Sequence, residues 1–324
     1  MRCLPLADGL KHKKPDADIM FISKYEDGRG ILKSRDYKVV DTEADEVLQI
    51  KRLADREALL ITDFLDTDNA YISRIKGTTD IRVIAIDNNT RLKVIDADAV
   101  VNANVFNEGE TKSIGSTRYY LGPKYVILRK EFDTAHREGR ELRDKVGKIL
   151  VLSGGGDFAG GKLILNSIKA LEKITEGIHI NVIVGPTFPY RDELNKLLSK
   201  TKRHFDVSFA PSNLLELMKN ADIAITAAGT VLYELASLGI SSIAVPIVTP
   251  NTSHQEDIAS NFERHGACIN LGRSPSDELL LEKTTMLIKD KSSRKRLSNN
   301  ARALVDGKGL ERALEIILGG HSDS

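Results

Sequence analysis

Nine residues, Ser153 to Gly161, hold five glycines: Ser153-Gly154-Gly155-Gly156-Asp157-Phe158-Ala159-Gly160-Gly161. They follow the apolar run Ile149-Leu150-Val151-Leu152, and Leu163, Ile164, Ile168 and Leu171 then repeat at helical spacing. A strand, a glycine loop and a helix in that order suit a phosphate. Glycine has no Cβ, so main-chain N–H groups can approach an anion closely. The helix start adds unpaired N–H donors and the positive end of its dipole. Gly154, Gly155, Gly156 and Asp157 are the candidate phosphate contacts. Gly156 to Gly161-Lys162 also has the GxxxxGK spacing of ATP-binding loops, but Leu163 stands where that motif needs Ser or Thr for Mg²⁺.

Two further polar turns lie in the same half of the chain. Asp222 to Gly239 reads as strand, small-residue turn (Ala227-Ala228-Gly229) and helix. Thr230 falls in the first helical turn, with Glu234 one turn further on the same face. A carboxylate there can accept two hydrogen bonds from the vicinal hydroxyls of a ribose. After the apolar stretch ending at Val245-Pro246 comes Thr249-Pro250-Asn251-Thr252-Ser253-His254-Gln255. Thr252 or Ser253 can cap the next helix, and His254 and Gln255 can donate to a phosphate or a sugar. The first half offers Asp63, Asp87, Asn88, Asn102 and Asn104 at strand ends, where Asp and Asn also serve as turn formers. No His/Cys cluster has metal-ligand spacing, and no GxSxG elbow is present, so no metal or other cofactor is expected.

These residues need a scaffold of strand ends. Strands are expected at 19–23, 37–40, 59–62, 82–86 and 99–102, then at 149–152, 178–184, 206–209, 223–226, 242–246 and 267–271, with helical patterns between most of them. Continuous apolar strands interleaved with helices imply an α/β protein with parallel sheets covered on both faces. At 324 residues the chain has room for about two domains of ~150 residues. The charged stretch Glu138–Lys148 is the expected boundary, either as a linker or as a solvated helix face, giving domains 1–145 and 146–318 and a tail 319–324. The helical pattern Leu4, Leu6, Ala7 and Leu10 begins with no strand before it. A doubly wound sheet normally opens with a central strand, so either this sheet lacks a central element or the native chain starts earlier.

Composition narrows the function classes. A net charge of +1 gives no basic field for nucleic acid or anionic lipid, and Trp is absent. Cys3 and Cys268 have no CxxC partner and read as reduced thiols of a cytoplasmic protein. No signal peptide and no apolar segment of membrane-spanning length is visible.

Ser153–Gly161, Gly229–Ala236 and His254-Gln255 resemble the carboxyl-terminal half of two-domain nucleotide-sugar enzymes of the GT-B fold. Asp96–Asn102 and the run Tyr120-Leu121-Gly122-Pro123-Lys124-Tyr125 to Phe132 resemble the UDP-sugar hydrolase family of pseudaminic acid biosynthesis. That family includes spore-coat polysaccharide proteins and is related to the GlcNAc transferase of peptidoglycan synthesis. The resemblance implies two Rossmann-like doubly wound domains facing a cleft. It implies hydrolysis of a UDP-linked acetamido-trideoxy sugar to UDP and free sugar; apart from the resemblance, a monomer is expected. It assigns Gly154, Gly155 and Gly156 to the diphosphate, Glu234 to the ribose with Gly229 and Thr230 before it, and backbone at Phe209–Ala210 to uracil. His254, Gln255, Asp87 and Tyr125 fall on the sugar or phosphate side. The family's general base is a His in a Gly-x-Gly-His turn directly before the helix that begins here at Arg2-Cys3-Leu4. Met1 stands past that position, so the catalytic residue has no counterpart in this sequence and a longer native chain is expected. A glycosyltransferase with the same donor site, or a UDP-sugar binding protein without catalysis, are the alternatives.

Overall fold

The computed structural model describes residues 2–24, 26–55, 57–64, 67–106, 109–155, 162–249 and 254–319. The chain forms two compact units, Met1–Lys130 with Lys308–Ser324, and Glu131–Gly307.

The first unit runs α1 (Cys3–Lys13), β1 (Met20–Ile22), α2 (Glu26–Lys33), β2 (Lys38–Val40), α3 (Glu46–Leu53), β3 (Leu59–Asp63), α4 (Asn69–Thr78), β4 (Arg82–Ile86), β5 (Ala99–Asn102), β6 (Thr111–Ile114) and β7 (Thr117–Leu121). A short 3-10 turn, Pro123–Tyr125, leads to α5 (Lys130–Glu138) at the unit boundary. Asp45 and Asp68 start α3 and α4 by accepting backbone N–H groups of the first turn. β4 is apolar on both faces because helices cover both. Ile84 and Ile86 pack with Leu6 of α1, while Val83 and Ala85 pack with Val47, Ile50, Ile72 and Ile75 of α3 and α4. The strands form two sheets: β1 pairs in parallel with β2, and the other sheet has the order β3-β4-β5-β7-β6, parallel except for β6 against β7.

The second unit contains β8 (Lys148–Leu152), α6 (Lys162–Leu171), β9 (His179–Val184), α7 (Arg191–Leu198), β10 (Asp206–Phe209), α8 (Leu214–Asn220), β11 (Ile223–Thr226), α9 (Thr230–Ser237), β12 (Ser241–Ala244), α10 (Gln255–Arg264), β13 (Ile269–Asn270), α11 (Asp277–Lys289) and α12 (Lys291–Leu304). Its single six-stranded sheet has the order β10-β9-β8-β11-β12-β13, parallel throughout. β8 is central. The succession runs outward to β10 on one side and, from β11, outward on the other, so the turns after β8 and β11 open side by side at the carboxyl edge. That reversal of strand order is where doubly wound sheets bind ligands.

The amino edge of this sheet is tied by charge. Buried Asp222 accepts the N–H groups of Gly147 (2.8 Å) and Lys148 (3.0 Å) and pairs with Arg143 (3.2 Å) and Arg140 (3.7 Å). In the first unit, Asp98 performs a similar tie from a half-exposed position, accepting the Val83 N–H (2.7 Å) and the Lys76 ammonium (2.8 Å).

Three expectations are corrected. The units change at Lys130, ahead of the charged 138–148 stretch. The final helix, α13 (Gly309–Ile317), belongs to the first unit, not to the second. Its apolar face packs with Leu6 and Leu10 of α1, and Leu314 fills the space beside Gly9 so closely that a Cβ there would lie 2.6 Å from it. The Arg82 guanidinium closes its last turn on the carbonyls of Ile316 (2.7 Å) and Ile317 (3.0 Å). Third, the β6–β7 hairpin is additional to the expected strands; Gly115, at φ +60°, makes its turn. No described helix is long and apolar enough to cross a membrane.

Candidate nucleotide site at the carboxyl edge of the second sheet

β8 is buried along Ile149–Leu152, and the chain leaves it through Ser153, Gly154 and Gly155. Gly154 adopts φ +79°, open to glycine at no steric cost. The connection after β9 holds the loop from beside it. A Cβ on Gly185 would lie 2.2 Å from the Gly155 carbonyl oxygen and 2.4 Å from that of Gly154. Thr187 Oγ1 donates to the Gly155 carbonyl at 2.8 Å. The carbonyls are thus turned toward the neighbouring loop, and no acceptor among the described residues takes the N–H of Gly154 or Gly155. Gly156 and Asp157, the other expected phosphate contacts, lie outside the described residues.

The turn after β11 abuts this loop, since a Cβ on Gly154 would lie 3.4 Å from Val231 Cγ2. Gly229 is the N-cap of α9 and supplies no side-chain acceptor, so the helix start keeps open donors. Thr230 is exposed and Glu234, one turn on, is half-buried. At the end of the edge strand β10, Phe209 is an exposed aromatic ring with the Arg191 guanidinium 4.4 Å from its centroid. Ala210 takes φ +42°, a strained conformation for a residue with a Cβ, while its N–H is held by the Val184 carbonyl (2.9 Å).

Gln255 has a structural job beside the one expected. Its Oε1 accepts the N–H groups of both Ala228 (3.2 Å) and Ile247 (2.9 Å), stitching the turn after β11 to the segment after β12. Its Nε2 remains beside Gly229, 3.8 Å from where a Cβ would stand. His254 is half-buried at the N-cap of α10 and makes no side-chain capping bond. Thr252 and Ser253, the expected caps, lie outside the described residues.

The fold thus gathers Gly154, Gly155, Phe209, Ala210, Gly229, Thr230, Glu234 and Gln255 along one sheet edge. It adds Gly185, Thr187 and Arg191, which the sequence reading missed. Gly185 carries a signal in hindsight: it ends an apolar strand in Ile183-Val184-Gly185-Pro186.

Asp87 and Tyr125 stand in the first unit. Asp87 is buried, its carboxylate held by the Asn89 and Asn102 amides at 2.7 Å each. Tyr125 packs edge-on against Tyr120 in the core of that unit, so its ring is a packing element and not an exposed sugar contact. At the ends of β3 and β4, the Arg2 guanidinium pairs with Asp63 and donates to Asn88. Cys3 lies beside Asp63; burial first, then that carboxylate, pushes its thiol up to about 12. Among the described residues, no three His, Cys, Asp or Glu side chains gather as metal ligands do.

Residues 149–313 match the glycosyltransferase family 28 C-terminal domain. The chain is 27% identical to the spore coat polysaccharide biosynthesis protein SpsG of Bacillus subtilis over 326 residues, covering 98% of this chain and 92% of that protein. It is 32% identical over 107 residues to the UDP-N-acetylglucosamine–N-acetylmuramyl-(pentapeptide) pyrophosphoryl-undecaprenol N-acetylglucosamine transferase of Acetivibrio thermocellus, covering 32% of this chain and 29% of that enzyme. The crystal structure of Acinetobacter baumannii MurG superposes with a TM-score of 0.68 at 16% identity, covering 98% of this chain and 95% of that one. At that identity the likeness establishes the fold, which is that of the GT-B glycosyltransferases, with mostly parallel α/β sheets. By the match across its second unit, this chain belongs to the family defined by the glycosyltransferase family 28 C-terminal domain.

Proposed function

We propose that the carboxyl edge of the second sheet binds the UDP moiety of a UDP-sugar and that the enzyme breaks the bond between sugar and diphosphate. The observation that carries this reading is the pairing of the Gly154 and Gly155 N–H groups, without acceptors among the described residues, with the uncapped start of α9. Those donors suit a diphosphate, and they suit it better as charge grows on the departing UDP. Gly156 and Asp157, next in the sequence, are assigned to the same diphosphate. Glu234 accepts from the ribose hydroxyls, with Thr230 at the helix start. The strained backbone at Ala210, beside Phe209, presents main-chain polar groups to uracil. Gln255 Nε2 and His254 serve the sugar or phosphate side.

Water is the first proposed acceptor, which makes the enzyme a hydrolase releasing UDP and a free acetamido-trideoxy sugar. Transfer to a hydroxyl acceptor is the second reading, and the family match favours it. The two share the donor site and differ in what attacks.

Calorimetric titration with UDP tests the site. Glu234→Gln is expected to weaken UDP binding by about 1.5–3 kcal/mol, roughly ten- to 150-fold. Absence of UDP binding at millimolar concentration by the unaltered chain overturns the proposal. Incubation with UDP-N-acetylglucosamine then separates the chemistries: UDP released without acceptor supports hydrolysis, and release only after a hydroxyl acceptor is added supports transfer.

A further inference from the structure

The second unit holds a cavity of about 180 Å³ apart from the residues gathered at the nucleotide edge. It opens between the first two turns of α6, the segment 245–248 after β12, the segment 273–275 after β13, and Leu280 of α11. α6 and α11 cover the same face of the sheet: Leu163 and Ile164 share an apolar cluster with Leu280 and Leu287, and with Ile223 and Ile225 of β11. Among the described residues, α9, which carries Thr230 and Glu234, gives that cluster nothing. Nor does Gly154, Gly155, Phe209, Ala210, Gly229 or Gln255 line the cavity.

The lining combines three kinds of surface. Leu163, Val245 and Leu280 are buried and apolar. Lys162 and Arg273 line it from exposed positions. The Arg273 guanidinium is spent on Glu256 of α10. No described carboxylate lines the cavity, and none pairs with Lys162, so the surplus charge at its mouth is positive. The third kind is a buried hydroxyl. Ser167 is 0% exposed, and its Oγ has no hydrogen-bond partner. A helical hydroxyl can bond the carbonyl four residues back, as Thr284 of α11 does to Leu280 at 2.7 Å. Ser167 does not, although an unpaired buried hydroxyl costs free energy. Asn166 lines the cavity beside it, half-buried and one turn after Lys162 on the same helix face.

We infer that this cavity is a second ligand site, for a small organic acid. The carboxylate meets Lys162 at the mouth, a short apolar body packs on Leu163, Val245 and Leu280, and one further oxygen reaches Ser167 and Asn166. A cavity of about 150 Å³ holds a molecule the size of benzene, so this one takes about six to eight non-hydrogen atoms. A hydroxy or oxo acid of about four carbons has that size and all three features. Inorganic phosphate satisfies the charge but leaves the apolar walls uncovered, and a nucleotide exceeds the volume.

Methyl NMR with 3-hydroxybutyrate, butyrate and inorganic phosphate as probes tests the site. 3-Hydroxybutyrate is expected to shift the methyl signals of Leu163, Val245 and Leu280 with a dissociation constant on the order of 1 mM. Butyrate, which lacks the hydroxyl, is expected to bind about tenfold more weakly, and inorganic phosphate to leave these methyls unmoved. Ser167→Ala is expected to erase the advantage of 3-hydroxybutyrate over butyrate. Lys162→Met is expected to weaken both acids by about two- to fivefold. The methyls of Ile180 and Val182 in β9 report whether each variant is folded. No shift by either acid at tens of millimolar overturns the inference, as does tighter binding of inorganic phosphate or a hydroxyl advantage that survives Ser167→Ala. Displacement of the acid by UDP merges the cavity with the nucleotide edge and overturns its standing as a second site. Failure of UDP to bind leaves the acid titration untouched, so the two readings fail separately.

Discussion

The two units of this protein wind the same way and end differently at their centres. In the second, β8 lies between β9 and β11, is buried along its apolar length, and hands the chain to a glycine loop at the ligand edge. In the first, the corresponding place lies between β1 and β3, whose apolar residues stay half-exposed. The contrast teaches that a doubly wound sheet has two products from its middle strand. One is burial of its neighbours, and the other is the turn that meets the ligand. The second unit has both.

The amino edges offer the first test, because they use one device at two depths. Asp222→Ala removes a buried acceptor from two backbone N–H groups and leaves Arg140, itself largely buried, without its carboxylate. A loss of about 3–5 kcal/mol is expected from urea unfolding followed by circular dichroism. Asp98→Ala removes the same kind of tie from a half-exposed position and is expected to cost about 1 kcal/mol. Equal losses would erase the distinction. Asp98 also carries a pH response. Burial opposes ionisation of Asp98, but the Lys76 ammonium and the Val83 N–H outweigh it and hold the carboxyl below its ordinary range. A carboxyl lowered on folding contributes stability that is complete above the unfolded value of about 3.9. That contribution is lost as the pH falls through the folded value, so the Asp98→Ala difference should vanish in acid.

A second test concerns the central turn of the second unit. Gly185→Ala pushes a methyl group against the carbonyls of Gly154 and Gly155, which are backbone and cannot swing aside. The substitution is expected to cost about 1–3 kcal/mol of stability and to weaken UDP binding in calorimetry. Unchanged UDP affinity would mean that the loop does not need its neighbour.

The smallest effect is chemical. Each unit has one cysteine, and burial is the leading cause that raises each thiol. With Cys3 raised to about 12, iodoacetamide at pH 8 should label it about a thousandfold more slowly than an ordinary thiol of pKa about 8.5. Cys268, more deeply buried, should react more slowly still. Mass spectrometry of timed samples gives both rates. Faster labelling of Cys268 would reverse the order of packing between the units.

Much of the scaffold could be read directly. Runs such as Ile149–Leu152 and Ile223–Thr226 are continuous, apolar and bounded by turn residues, and each became a buried strand. β6 escaped notice because an edge strand alternates and carries Thr111, Lys112 and Ser113. Its signal was the Gly115-Ser116 turn. Tyr125 looked like a contact because a polar tip is visible in a sequence, whereas the core that takes its ring is not. Gln255 reads as a ligand donor, and only the fold shows that its carbonyl oxygen also joins two loops that lie 19 residues apart at Ala228 and Ile247.

Local patterns were enough for the strand–glycine–helix and strand–small turn–helix units, since backbone freedom at Gly154 and open N–H groups at a helix start are properties of a few consecutive residues. Which turns share an edge, which unit receives α13, and why residue 185 must be glycine are matters of approach between segments remote along the chain. Such approaches are set by packing, and packing depends on every neighbour at once. A residue's type therefore announces what it can do, and the assembled sheet assigns which of those things it does.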